Sequence, residues 1–162
     1  MKIGLVLEQL HRDENDLAQQ LFHVSERHKV DHEIYHLGRD LAKWSQQHVR
    51  EIAAIASQYG QDLDLDPEPR SENTLMEKVR EKGSQLVGRD AEAGLLLLRD
   101  LREVYIKACG VSADWELLAQ AAQGIKHTDL LEVAQRCHPQ NLRQMKWANG
   151  KLKESATQIL VS

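Results

Sequence analysis

The chain has 162 residues, 41% apolar and 28% charged, with only 3 prolines and 9 glycines. That balance suits a single helical domain spanning 1–162 with a real core and argues against disorder. A formal charge of −4 excludes a general attraction to nucleic acid or acidic lipid.

The opening MKIGLVLEQL is too short and too soon charged for a signal peptide, and no apolar run approaches membrane-spanning length. The cytoplasm is the expected compartment, with neither nucleic acid nor membrane as partner. Lys146, Lys151 and Lys153 cluster near the end and leave room for a local basic patch. With one phenylalanine against many Leu and Ala, the expected core is aliphatic. Cys109 and Cys137 have no CxxC or zinc-ligand spacing and read as two buried thiols.

The first helical pattern covers 2–24, with Ile3, Val6, Leu7, Leu10, Leu17, Leu21 and Val24 on its apolar stripe. Between Leu10 and Leu17, Asp13 and Glu14 fall where a core residue is expected. The simpler reading leaves them as an acidic step beside solvent; the alternative turns one of them inward. A tight turn is expected near 26–31, because continuous helix from 3 to 59 would be about 85 Å long. Asp31 is suited to cap the next helix.

The stretch from His28 to Tyr59 holds no proline, and Ile34, Leu37, Leu41, Trp44, Val49, Ile52, Ile55 and Tyr59 recur near a helical period. Gly60 is placed to end this helix in a left-handed cap. The following QDLDLDPEPRSE holds two prolines and five acids, so it reads as a loop. Its alternating aspartates lack the central glycine and terminal glutamate of a calcium loop.

Thr74 and Glu77 make a capping box, from which a third helix is expected to run to Cys109. Gly83, Gly88 and Gly94 interrupt its stripe and allow a kink or a close crossing. Gly110 is read as its end and Ser112 as the cap of a fourth helix reaching His138. Pro139 then opens or kinks a last segment with Leu142, Met145, Leu152, Ala156 and Ile159 on its stripe. The sum is an all-α, up-down four-helix bundle with a long central link and a kinked or split last helix. Amphipathic helices of this kind leave room for a homo-oligomer or a protein partner.

Chemistry is concentrated on the second helix. Glu33 and His36 have the Glu-x-x-His spacing of di-iron bundles, and no second copy of that motif occurs. His28, His32, His36 and Asp40 are each one turn apart, which places imidazoles and a carboxylate on one face for iron or zinc. The alternative is a polar face where these histidines meet acids and water. His48 lies on the buried stripe, so it needs a hydrogen-bond partner, with Glu14 or Asp90 as the expected one. The metal candidates are therefore His32, Glu33, His36, Asp40 and His48. No nucleophile elbow, histidine-paired cysteine or phosphate-binding glycine motif is present.

Helix lengths and order, Glu33-x-x-His36 and the run Trp44-Ser45-x-x-His48-Val49 resemble the ferritin-like superfamily, specifically small bacterial members of unassigned function. That resemblance covers most of 3–160 and implies a crossover bundle. The superfamily includes iron stores, oxidases and members that have lost their metal. The single Glu-x-x-His match weakens the ferroxidase implication, which leaves a non-catalytic accessory or interaction protein as the leading expectation and an iron- or zinc-binding protein as the alternative. Hemerythrin-like bundles share the His32-Glu33 theme without their spaced ligand set.

Overall fold

The computed structural model describes residues 1–70 and 89–161, and the side chains of residues 89–91 lie outside that description. Among the described residues, four α-helices carry the fold: α1 (Ile3–Arg27), α2 (His32–Ala56), α3 (Arg89–Ile125) and α4 (Thr128–Val161). A 3-10 turn, Ser57–Tyr59, follows α2.

Arg27 ends α1, and Asp31 caps α2 by accepting a hydrogen bond from the Ile34 amide at 3.1 Å. The expected turn at 26–31 is therefore in place. Close packing of this hairpin needs Gly38, where a Cβ would lie 3.0 Å from the Ser25 Cβ. At the other end Gly60 adopts φ +75°, the left-handed cap expected of it.

Contacts along the helices fix their directions. Glu14 meets His48 and Trp115, Arg27 meets Asp100, Ala108 meets Asn141, and Glu33 meets Lys151. In each packed pair (α1 with α2, α1 with α3, α2 with α4, α3 with α4) low numbers meet high ones, so all neighbours run antiparallel. α2 ends beside Gly4, whereas α3 begins beyond the α1–α2 turn. The link between them must therefore travel the length of the bundle, as in a crossover connection.

The described part of that link lies along α1. His11 Nε2 bonds to the Asp64 carbonyl at 2.8 Å, and Asn15 Oδ1 accepts from the Glu68 amide at 2.9 Å. Gln19 donates to the carbonyls of Glu68 and Pro69, and the Arg70 guanidinium stands 5.0 Å from the Phe22 ring centroid. A loop with few apolar residues is held by side chains that satisfy its backbone. The capping box at Thr74–Glu77 and the stripe positions Leu75, Val79 and Leu86, with Gly83 and Gly88, lie outside the described residues.

The second half differs from the sequence reading in its punctuation. α3 runs straight through Gly110 because Leu101, Val104, Ala108, Val111, Trp115, Leu118 and Ala122 form an unbroken buried stripe. Packing overrides one glycine. The helix breaks instead at Lys126, which takes φ 56° before His127. The second half is thus split between α3 and α4, and Pro139 sits inside α4. Pro139 has no N–H to offer the Gln135 carbonyl one turn back, and both residues are exposed. The close crossing expected at Gly94 is present: a Cβ there would lie 2.8 Å from Ile159 Cγ2.

The buried face of α4 also departs from expectation. Its core positions are Leu130, Ala134, Cys137, Asn141, Gln144, Ala148 and Lys151, while Leu142 is exposed. The stripe is one residue off the apolar register because polar side chains occupy its continuation. Cys137 is buried but Cys109 is half-buried, and both thiols are free. Among the described residues, no helix is long and apolar enough to cross a membrane.

Candidate functional site

A polar layer crosses the middle of the bundle. The gap in the α1 stripe places Glu14 inward, and its side chain is fully buried, which corrects the reading of an acidic step beside solvent. His48 on α2 is fully buried opposite it. Its Nδ1 lies 2.8 Å from Glu14 Oε1, and its Nε2 lies 2.7 Å from Gln140 Oε1 on α4. Trp115 on α3 donates its indole N–H to the same Glu14 oxygen at 2.9 Å, with its ring edge-on to the imidazole. Each of the four helices contributes one member.

Both imidazole nitrogens face acceptor oxygens, so the imidazolium donates at each. Burial works against that charge. The Glu14 carboxylate and its hydrogen bond, the Gln140 oxygen and the Glu51 carboxylate outweigh it and raise the His48 pKa above its ordinary 6.5. With His48 protonated, the two side chains form a buried, hydrogen-bonded ion pair. Glu14 Oε2 has no hydrogen-bond partner among the described residues.

Next to it lies an amide layer absent from the sequence reading. Asn141 donates to the Ala108 carbonyl and to Gln144 Oε1. Gln144 in turn donates to the Leu41 carbonyl and to Ser45 Oγ, both at 2.9 Å. The signal was available in the spacing: 137, 141, 144 and 148 continue the core period of α4. Cys137 packs here too, and burial, with the Glu51 and Glu14 charges, pushes its thiol up so that it stays protonated.

The remaining sequence candidates are spread over the α2 surface. His32, Glu33, His36 and Asp40 are all exposed. Glu33 Oε2 receives the ammonium of Lys151 at 2.6 Å, and Asp40 pairs with Lys43 at 3.3 Å. The His32 and His36 rings lie 6.5 Å apart, with Tyr35 edge-on to His36 at 5.0 Å. The structure does not bring His48 to them; it lies in the core beside Glu14. Asp90, the other expected partner of His48, falls outside the described side chains. Among the described residues, no three His, Cys, Asp or Glu side chains converge as a metal-binding group.

His28 belongs to a different cluster, which sequence reasoning missed. Asp100 on α3 is buried, accepts from Arg27 Nη1 at 3.1 and 3.2 Å, and lies 2.7 Å from His28 Nε2. Nothing in the spacing of 27–28 and 100 could have announced this contact, because it depends on the alignment of α1 with α3. At the opposite end His127 bonds to the Tyr59 hydroxyl and to Gln58. An open groove of about 350 Å³ lies between α2 and α4, lined by Glu51, Gln58, Asp129, Glu132 and Arg136 among others. Neither Glu14 nor His48 lines it.

Comparison of the chain with protein-family models, with curated proteins and with solved structures finds no match. In general terms the architecture, a four-helix bundle with one long crossover, is consistent with a ferritin-like fold.

Proposed function

We propose that this chain is a non-catalytic bundle of ferritin-like descent that serves in the cytoplasm as an accessory or interaction protein. One observation carries this reading. The constellation most like a reaction centre, Glu14 with His48, Trp115 and Gln140, leaves no imidazole nitrogen open: both are engaged, and Glu14, His48 and Trp115 are buried. A buried polar layer that joins four helices is suited to fixing their register. Two free thiols accord with a reducing compartment.

A second reading has its own support. His32 and His36 are exposed, their rings are 6.5 Å apart, and Asp40 follows one turn later. Rotation of two surface imidazoles would let them share iron or zinc at the helical spacing that such pairs use.

Elemental analysis of native protein, purified without an affinity tag or chelator, separates the two. The accessory reading expects empty protein that also fails to retain added iron or zinc. Near-stoichiometric metal that is lost in His36→Ala would replace it with the metal reading.

A further inference from the structure

We infer that the outer seam of α3 is a self-complementary surface on which a second copy of this chain packs antiparallel, with Ile106 on the two-fold axis. This names the partner of the interaction bundle proposed above and so rests on that reading.

Leu95, Ile106 and Leu117 are 54%, 46% and 59% exposed. They recur every eleven residues, an interval that advances only about 20° around an α-helix, so they form a line along α3. That line is opposite the buried stripe of Leu101, Val104, Ala108 and Trp115. Arg99, Arg102, Gly110 and Ala113 fill the seam between the large residues, and all four are exposed.

The seam has the same plan in both directions from Ile106. An antiparallel copy sets Leu95 against Leu117 and Ile106 against its own counterpart. It also sets Arg99 against Ala113 and Arg102 against Gly110, so each long side chain meets a small one. Such an arrangement is isologous and closes as a dimer.

Gly110 fits this register. A Cβ added there would meet nothing within 4 Å, as is also true at Gly124 and Gly150. Glycine in a helix interior weakens the helix relative to alanine. Opposite Arg102 of a second copy, the missing side chain makes room for the arginine stem.

Charge points the same way. Asp114 flanks the seam, and burial together with the nearby Asp13 charge holds its carboxyl above the usual range. The antiparallel register brings Arg99 of the second copy opposite Ala113, one residue from Asp114. A guanidinium there would place a positive charge beside the Asp13 and Asp114 carboxylates.

Sedimentation equilibrium over a concentration series, on the full chain, tests the proposal. The expected species has twice the 18.5 kDa chain mass, and Ile106→Glu raises its dissociation constant by more than about tenfold while circular dichroism remains unchanged. In a Cys109→Ser background, Ile106→Cys should form a disulfide dimer on mild oxidation, whereas Leu95→Cys alone should not. Leu95→Cys mixed with Leu117→Cys should cross-link. A chain that stays monomeric, or a dimer indifferent to Ile106→Glu in which Ile106→Cys does not cross-link, overturns the proposal. Metal occupancy measured on the same samples reports separately on the accessory reading. Empty monomer removes only the dimer, and metal-loaded cross-linked dimer removes only the accessory reading.

Discussion

Glu14 and His48 meet at 2.8 Å across the α1–α2 interface, with side chains 0% and 1% exposed. Neither side chain has access to water, so each depends on the other and on the groups that bond to them, Trp115 at Glu14 Oε1 and Gln140 at His48 Nε2. The pair therefore couples all four helices through two side chains.

Removing one partner should be costly. Glu14→Gln leaves an imidazolium without its counter-charge, and a buried pair broken on one side loses about 3–5 kcal/mol. His48→Gln strands the carboxylate and should lose a similar amount. In the double variant, Glu14→Gln with His48→Gln, the loss should be smaller than the sum of the single losses. A double-mutant cycle by urea unfolding measures that coupling.

The same pair sets a pH dependence. His48 has a folded-state pKa raised above its ordinary 6.5, so the native state holds its proton more tightly than the unfolded chain. Its contribution is fully present below about pH 6.5 and is lost as pH rises through the folded-state value. Unfolding free energy should fall over that interval, with a slope approaching about 1.4 kcal/mol per pH unit while the native state keeps the proton that the unfolded chain has lost. The His48→Gln variant should lack this part of the slope, as chemical denaturation at several pH values would show.

Asp100 holds the end of the bundle where α1 turns into α2. Asp100→Asn keeps the volume but removes the charge that Arg27 and His28 share. A loss of about 2 kcal/mol is expected. Hydrogen exchange should accelerate at the C-terminal turn of α1 and the facing part of α3, leaving the Tyr59–His127 end protected.

Glycines should divide by what surrounds them. In Gly4→Ala the new Cβ would lie 2.9 Å from the Tyr59 carbonyl oxygen, a backbone atom that cannot easily move. A loss of about 1–3 kcal/mol is expected. Gly150 is exposed within α4 and a Cβ there meets nothing within 4 Å. Gly150→Ala should stabilise by about 0.5–1 kcal/mol. Thermal unfolding of the two variants should move in opposite directions.

Much of the architecture was readable because helix signals are local. The α1 stripe, the turn before Asp31, the left-handed Gly60 and the loop after it all follow from periodicity and turn chemistry. The central pair was partly readable too: an acid in the gap of one stripe and a histidine on the next point toward each other once the hairpin is assumed. What failed was punctuation and polarity in the second half. Gly110 resembles a helix end, yet the buried residues on either side keep the helix going. Lys126 carries the real break in a conformation that its residue type does not announce. On α4, the apolar residues Leu142 and Met145 suggested a stripe, whereas the core continues through Asn141 and Gln144, whose partners on α2 and α3 only the assembled bundle supplies.

Nitrogen-detected NMR of the His48 ring tests most directly whether this side chain is a closed structural group. At pH 6 both ring nitrogens should carry protons, exchange slowly with solvent, and remain unchanged when zinc or ferrous iron is added. A ring nitrogen that loses its proton on metal addition would contradict the account and make the Glu14–His48 layer a ligand site.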